Sequence, residues 1–522
     1  MKRFLLVLLI IAHAAAKAQT PHTEGIKIFE KEIPQNSERE FQFLAYWYSQ
    51  AVSGNYYPTN DFLKGQIIGR LFGQNTTTTS DSNTSMYVEQ RILPFFIYQP
   101  KLFNGRAILR ASFEIDFTWG DVAYGTGGNF GGAISGDQVN IQTQNVELEI
   151  IPFKNWTVNI GLQRMFDSPY NPYRTLFGTL TETGYRLMYW GTDAAGISAR
   201  YEGDFNRWKF GAWKFYENQV QQNDDVSMYE AMFERDVTRN WRWGGSINYV
   251  RDRANGEGGP SILGQGLNST LNDYNGTYRF PLGGTPYRAD IFWLGSFWSR
   301  NVDFIADRFM TTGFVNVNVG NVDTLISAND YASRSTIGGV AVNLRGGYRY
   351  GLTKGDIVTA DLIYTSGDNN GIKDNHYSGV MTGNNWGTPV EVWISHGAYI
   401  LFPHGNVVNR FVSAVNDISN LGYGITGGTL NIYRDIVPNK LNVKLGSAAA
   451  LSNVAPSGGG NVIGVEANGR ISWQAKVYMN LELHGAYLWL GDFYDSSRVN
   501  GGVSERPVNP WTVFMGFKWL MF

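Results

Sequence analysis

The 522-residue sequence contains no cysteine and only 17% charged residues, and it has no long apolar run after its first 20 positions. The absence of cysteine excludes disulfide scaffolds, thiolate metal sites, iron–sulfur clusters and cysteine nucleophiles. A polytopic helical membrane protein needs several apolar stretches of about 20 residues, so that class is excluded. A disordered chain would be rich in charge and poor in aromatics, whereas 15% of these residues are aromatic.

What the chain does contain is glycine and aromatic residues on a background that is not apolar on average. It has 61 Gly, 16 Trp, 29 Tyr and 31 Phe, yet its mean hydropathy is -0.24. This combination favours a large β-structure with one wet face and one apolar face.

The N-terminus has the parts of a secretory signal peptide. Lys2 and Arg3 precede an apolar run over 4–16, which is too short to span a bilayer. A small-x-small motif then ends at Ala18. We predict that residues 1–18 are a signal peptide, with an uncleaved anchor or a buried strand as the alternative.

Cleavage after Ala18 would leave an N-terminal periplasmic extension over 19–38. It would also remove three basic residues and shift the net charge from -2 to about -5. A nucleic-acid partner would call for a basic surface, so no nucleic-acid partner is expected.

From residue 39 onward the dominant pattern is strict alternation of apolar and polar residues. In 461–477 and in 106–119 the apolar side chains occupy one parity and the polar ones the other, which predicts strands with opposite faces. Residues 39–522 are therefore predicted to form one all-β, transmembrane antiparallel β-barrel of about 18 strands (16–18). The predicted strands begin near 41, 85, 106, 138, 156, 193, 207, 226, 240, 287, 302, 336, 356, 423, 441, 461, 479 and 510.

Short polar turns alternate with long loops rich in Gly, Asn, Asp and Ser. Turns are predicted near 99–101, 153–155, 204–206, 238–240, 353–355 and 438–440, and loops near 51–84, 120–137, 168–191, 253–285, 320–334, 367–422, 452–460 and 492–509. Short periplasmic turns and long extracellular loops are typical of outer-membrane barrels. The chain is therefore expected in the outer membrane of a Gram-negative bacterium.

The last strand and the tryptophans point to the same membrane. Residues 511–521 alternate around an apolar face and the chain ends on Phe522, which resembles the signal read by the barrel assembly machinery; the alternative is a buried strand of a soluble sandwich. Outer-membrane lipid and that machinery are the expected partners. Tryptophans near strand ends suit an interfacial girdle, and the candidates are Trp119, Trp241, Trp243, Trp293, Trp489, Trp511 and Trp519.

The polar parity of the strands predicts which side chains face the lumen. The basic set is Arg106, Arg110, Arg200, Lys209, Arg242, Arg345, Arg349, Lys444, Arg470 and Lys476, and the acidic set is Glu114, Asp116, Glu147, Glu149, Glu202, Glu230, Glu234, Asp361, Glu466 and Glu482. Charge rings of one sign set ion selectivity, but this lining is mixed. The late strands lean basic and could bind a carboxylated solute; alternatively, the charges pair across strands.

The 367–422 loop is too long to be a plain connection. An apolar stretch over 390–402 is followed by Phe411, Val415 and Ile418 at helical spacing. An amphipathic helix here would either cap the barrel mouth or fold inward, and we expect a constriction that includes Phe402, His404 and Phe411.

No cofactor and no catalysis are expected. His484 and Glu482 share an inward face, which is ordinary for a lumen lining. Asp368, Asn370 and Asp374 have a spacing loosely like that of a calcium loop, but the closing glutamate is missing. A solvated Asn/Asp loop is the favoured interpretation, with calcium as the weaker one.

Several motifs resemble the alginate-export family of outer-membrane barrels. They are Gly161-Leu162-Gln163-Arg164 before Arg174 and Gly178, then 193–201, then Ser366-Gly367-Asp368 followed by 401–405. The resemblance covers roughly 150–450 and implies an 18-stranded channel.

The expected function is an outer-membrane porin that passes hydrophilic solutes or oligosaccharides, anionic ones among them, through a mixed-charge lumen. The alternative is a plugged barrel that acts as a structural or surface-interaction subunit of an outer-membrane complex.

Overall fold

The structure of the chain is a computed structural model. It describes residues 40–58, 68–72, 77–119, 133–134, 139–164, 169, 193–216, 223–256, 276–328, 330–381, 397–402 and 411–521. The predicted signal peptide, the whole 19–38 extension, His404 and Phe522 lie outside the described residues.

Eighteen strands of the described chain form one continuous wall. They are β1 (Phe41–Gly54), β5 (Ser85–Tyr98), β6 (Ala107–Trp119), β8 (Val139–Ile150), β9 (Trp156–Arg164), β10 (Asp193–Glu202), β11 (Asn206–Tyr216), β12 (Val226–Thr238), β13 (Trp241–Asp252), β14 (Tyr287–Arg300), β15 (Phe309–Ser327), β16 (Asp330–Arg349), β17 (Ile357–Thr365), β20 (Ile425–Val437), β21 (Leu441–Ser452), β22 (Val462–Lys476), β23 (Met479–Leu490) and β24 (Trp511–Met521).

The remaining elements are short. Six strands have two or three residues each: β2 (Tyr56–Pro58), β3 (Ile68–Arg70), β4 (Thr77–Thr79), β7 (Ala133–Ile134), β18 (His376–Tyr377) and β19 (Phe411–Ser413). Two 3-10 turns cover Lys101–Phe103 and Asp492–Asp495. Within the described ranges, no helix has the length and apolar character needed to cross a bilayer.

The wall closes because β1 pairs with β5 on one side and with β24 on the other. The β1–β24 register runs from Ala45 opposite Met521 to Gly54 opposite Thr512. Every pair of neighbouring wall strands is antiparallel. The prediction of a closed antiparallel barrel with 18 strands is confirmed, and all but two strands begin within two residues of the predicted position.

Alternating faces separate the lumen from the lipid. On β12, Met228, Glu230 and Glu234 are buried, whereas Tyr229 between them is exposed. On β24, Val513 and Met515 are exposed and Phe514 is buried, as the alternation predicts. Large apolar side chains therefore cover the outside of the wall, and polar ones dominate the inside.

The two strands with displaced starts differ for structural reasons. The predicted strand start at 302 is wrong, because Asn301 has a φ of 51° and builds a turn. Its Nδ2 donates to the Asp307 carbonyl at 2.9 Å and its Oδ1 accepts the Ala306 N–H at 2.9 Å. The predicted loop over 320–334 is also wrong, since β15 and β16 continue as a hairpin to Ser327 and Asp330.

Three side chains differ from the face that alternation predicts. A register shift after Ala450 leaves Ile463 without a partner on β21, and Ile463 turns inward and is fully buried. A second shift places Lys476 opposite Met479 at the end of β22, where it is exposed rather than inside the lumen. Trp293 is no girdle residue: it is 1% exposed, and its Nε1 donates to the Met381 carbonyl at 2.8 Å.

The other girdle candidates whose side chains are described lie on the outward face of the barrel. Trp241, Trp243 and Trp489 are exposed, while Trp511 and Trp519 are half-buried on the same outward face. The side chain of Trp119 is outside the described set.

We predict that Leu445→Arg lowers the free energy of unfolding by about 2–4 kcal/mol. Leu445 is 65% exposed on the outward face of β21, so the change places a cation in hydrocarbon. Denaturant unfolding in lipid vesicles measures the effect. As a control, Leu352→Arg changes a turn residue that is 93% exposed and should cost about 0–1 kcal/mol. Equal losses in the two variants would contradict a lipid-facing position for Leu445.

Candidate functional site: the lumen and its inserted loop

The predicted lumen residues fall into buried, half-buried and exposed groups. Arg110, Arg200, Lys444 and Glu466 are buried on the inward face, while Arg345, Arg349 and Arg470 are half-buried there. Arg106 is exposed in the turn before β6. The side chains of Glu114 and Asp116 lie outside the described set.

Lumen charges pair across neighbouring strands along β6 to β12. The Arg110 guanidinium lies 3.3 Å from Glu147 and 2.8 Å from Glu149. Further along the wall, Lys209 lies 2.8 Å from Glu230. A buried charge is tolerated when it has such a partner, so the charges on these strands are largely neutralised by their own ion pairs, as one of the two sequence interpretations predicts.

These strands contain a further buried ion pair, between Arg207 and Asp236, that was not among the predicted lumen residues. Arg207 lies 2.9 Å from Asp236 and 3.3 Å from Glu234, and both Arg207 and Asp236 are buried. Arg207 has the same parity as Lys209 on β11, which is the signal that would have identified it.

The late strands keep a local excess of cations. Arg345 pairs with Asp361 at 3.0 Å. Glu482, by contrast, is shared by Lys518 at 3.1 Å and Arg470 at 3.7 Å. Lys518 was absent from the predicted basic set, although its position on β24 is inward.

Part of the long loop lies inside the barrel, against the lumen face of β22. The carboxylate of Glu466 accepts the backbone N–H groups of Tyr399 at 2.8 Å, Ile400 at 2.9 Å and Leu401 at 2.6 Å. Asn468 donates a fourth hydrogen bond at 2.7 Å. Hydrogen bonds to a charged acceptor are stronger than neutral ones, so this amide trio (the N–H groups of Tyr399, Ile400 and Leu401) ties the loop to the wall.

A lysine on the adjacent strand holds the loop at a deeper level. Lys444 Nζ donates to the Gly397 carbonyl and lies 4.3 Å from the centroid of the Tyr399 ring. Gly397 lies beside Asn431, which is opposite Gly446, the sixth residue of the 12-residue β21, so the loop reaches about the middle of that strand. Gly397 has a φ of +108°, and a Cβ there would lie 2.6 Å from Asn431 Oδ1. Glycine is therefore required at this point.

Aromatic side chains of the wall also pack against the inserted loop. The Tyr399 ring meets His484 edge-on at 4.9 Å and Phe514 at 5.6 Å between centroids, and His484 stacks on Phe514 at 4.2 Å. His484 Nε2 is also 3.2 Å from Glu482. His484 thus supports the loop from the inward face of β23.

The rest of the described loop packs as a small hydrophobic core within the barrel. Phe402, Val415 and Ile418 are buried together with wall residues such as Leu488 and with Phe493 of the 491–510 loop. The helix predicted from the 411–418 spacing is wrong: β19 (Phe411–Ser413) pairs in parallel with β3 (Ile68–Arg70), and turns follow it. The spacing reflects burial on several sides rather than one helical face.

The predicted calcium candidates hydrogen-bond within their own loop. Asp368 accepts the N–H groups of Asn370 at 2.9 Å and Ser378 at 2.8 Å, as well as the Ser378 hydroxyl. The hydrogen bond from Asn370 lowers the pKa of Asp374, which also accepts the His376 N–H. Among the described residues, no group of three or more acidic or histidine side chains is placed to hold a metal.

Comparisons with known proteins give structural likeness only. No family model and no curated protein matches the chain, so the resemblance to the alginate-export family stays a prediction. Among solved structures, Pseudomonas aeruginosa OpdL has 8% identity and a TM-score of 0.46, covering 92% of this chain and 99% of that chain. OccK2 (OpdF) of the same organism has 10% identity and a TM-score of 0.46, covering 92% and 98%.

A third structure, the outer membrane protein OpdK of Pseudomonas aeruginosa, has 9% identity and a TM-score of 0.45 over 92% of this chain and 98% of that chain.

We predict that Glu466→Ala frees the amide trio and raises the hydrogen-exchange rate of residues 399–401 about tenfold to a hundredfold. Each lost bond to a charged acceptor contributes about 1.5–3 kcal/mol. Exchange measured by mass spectrometry on the folded barrel checks the result. The control is Glu234→Ala, which removes a buried wall carboxylate whose described partner is Arg207. Unchanged exchange at 399–401 in the Glu466 variant would contradict the anchoring role.

Proposed function

We propose that this chain is an outer-membrane channel for hydrophilic solutes, and that the inserted loop narrows its lumen. The observation that carries the proposal is the closed 18-stranded wall with an apolar exterior and a charged interior. A barrel of this size encloses a lumen wide enough for solutes. A soluble protein of this fold would have no use for the large apolar side chains that cover its outer face.

The charge of the lining supports anionic solutes as part of the substrate range. In the early strands Arg110, Arg207 and Lys209 each have a carboxylate within ion-pair distance, whereas Arg470 and Lys518 share the single carboxylate of Glu482. Arg349 contributes another cation, whose described contact is the Phe304 ring at 5.6 Å. Guanidinium and ammonium groups of this kind recognise carboxylates and phosphates. Alginate itself, or another acidic oligosaccharide, is one member of this class.

The alternative of a plugged barrel rests on the inserted core. The buried cluster around Phe402, Val415 and Ile418 joins residues of three extracellular connections to the wall. A barrel filled in this way could serve as a surface-interaction subunit. A co-purifying stoichiometric partner, together with absence of conductance, would favour this function.

We predict that the purified barrel conducts in planar lipid bilayers and that Arg345→Glu plus Arg470→Glu shifts its selectivity toward cations. The reversal potential in a salt gradient should move by at least 10 mV, because charge near a narrow path sets ion selectivity. The milder pair Arg345→Gln plus Arg470→Gln should shift it in the same direction by less.

The matched control is Lys354→Glu plus Arg434→Glu, which makes the same charge change at exposed positions near the short turns. Its reversal potential should stay within a few millivolts of that of the unaltered barrel. A barrel that never conducts would contradict the channel function. Conduction with equal shifts in the two Glu variants would contradict the placement of the solute path beside Arg345 and Arg470.

A further inference from the structure

Charged side chains crowd the outward face of the wall where β11 to β15 approach the long-loop end of the barrel. Across this face, Lys214 is opposite Ser227, Ser227 is opposite Arg251, and Arg251 is opposite Asp290. Two residues further along β14, Arg288 is opposite Asp323. We call Lys214, Arg251, Arg253 and Arg288, with Asp225, Asp290 and Asp323, the rim patch.

An aromatic row lies directly below the rim patch on the same outward face. Tyr229 is opposite Tyr249, which is opposite Phe292. The ring centroids of Tyr249 and Phe292 are 4.4 Å apart, and the Tyr249 hydroxyl donates to Asp290 at 2.6 Å. Aromatic rings with a polar tip settle at the headgroup level of a membrane. The rim patch lies two residues further along each strand, or about 7 Å, which places it among lipid headgroups.

The cations of the rim patch are unequally paired. Arg253 contacts Asp290 through two bonds, at 2.9 and 2.8 Å, and Lys214 pairs with Asp225. The described partner of Arg251 is the neutral Asn223 side chain at 3.3 Å. Arg253 therefore occupies the carboxylate of Asp290, and the described partner of Arg251 is an amide.

Arg288 has the fewest described polar partners of the cations in the rim patch. Its guanidinium lies 3.9 Å from the centroid of the Tyr331 ring, and its Nε is buried without a hydrogen-bond partner. Asp323 is opposite Arg288 in register but beyond ion-pair distance, and it accepts a hydrogen bond from Asn321. Arg251 and Arg288 are diagonal neighbours on β13 and β14, a spacing of about 7–8 Å. Both can therefore address one anionic group.

We propose that the rim patch binds the phosphate group of a phosphorylated glycolipid in the outer leaflet, held between Arg251 and Arg288. Arginine binds phosphate through paired, charge-assisted hydrogen bonds. The lipid's acyl chains then lie over the exposed Phe292 and Leu294 below the patch. That continuity favours a lipid over a free phosphate ion. The inference rests on the proposed place of the barrel in the outer membrane and is independent of whether the lumen conducts.

The test uses the whole delipidated barrel in neutral detergent with EDTA present. Native mass spectrometry measures binding of a bis-phosphorylated acylated disaccharide lipid, of the same lipid after enzymatic removal of its phosphates, and of inorganic pyrophosphate. We expect the phosphorylated lipid to bind at least tenfold more tightly than either of the other two. Arg251→Gln plus Arg288→Gln should weaken that binding about tenfold to thirtyfold.

The control variant is Lys354→Gln plus Arg434→Gln, which removes two exposed cations near the opposite, short-turn end and should leave the affinity unchanged. The difference in gel mobility between heated and unheated samples shows whether each variant is folded. Unchanged affinity in the Arg251 and Arg288 variant would overturn the proposal, as would equal binding of the dephosphorylated lipid. Equally tight pyrophosphate binding would replace the lipid site by a site for free phosphate. Channel conductance should be the same in both variants, so failure here is distinguishable from failure of the channel function.

Discussion

The structure depends on the pairing of its first wall strand with its last. A strand inside hydrocarbon cannot leave backbone N–H and C=O groups unpaired, and a sheet with an edge would do so. β1 meets β24 along ten consecutive residue pairs, from Ala45 opposite Met521 to Gly54 opposite Thr512. This closure fixes which parity of every strand faces lipid, since neighbouring strands must share a face at each register position.

Closure of the barrel also brings many charged side chains together in the lumen. Charged side chains that point inward are crowded against one another and lose much of their water, so each needs a partner. Along β6 to β12 the partners are side chains on adjacent strands, such as Glu149 for Arg110 and Glu230 for Lys209. On β22 the partner of Glu466 is a stretch of backbone from the long loop. One buried carboxylate thereby ties residues 399–401 of the loop to the wall.

The wall could be predicted from the sequence, because period-2 alternation is imposed locally by lipid on one side and water on the other. The exceptions arise where this local rule does not apply. Ile463 turns inward at a register shift, which depends on the partner strand. Trp293 faces inward because it fills a cluster with Tyr287 and Met381, and its neighbours on β14 are apolar on both faces.

The loop was predicted only in part, for a related reason. Its apolar stretch and its length indicate insertion into the barrel, and Phe402 is buried there; its place in a constriction stays a prediction. The attachment itself uses backbone N–H groups at 399–401, and the sequence carries no side-chain signal for such a contact. The spacing of Val415 and Ile418 suggested a helix, but residues buried by several loops need no helical period.

Single-channel recording of the full chain beside a variant lacking 385–415 shows whether the solute path runs through a lumen narrowed by the inserted loop. Both proteins should conduct, and removal of the segment should raise the unitary conductance at least about twofold. Equal conductance in the two proteins, or conductance in neither, would contradict that path.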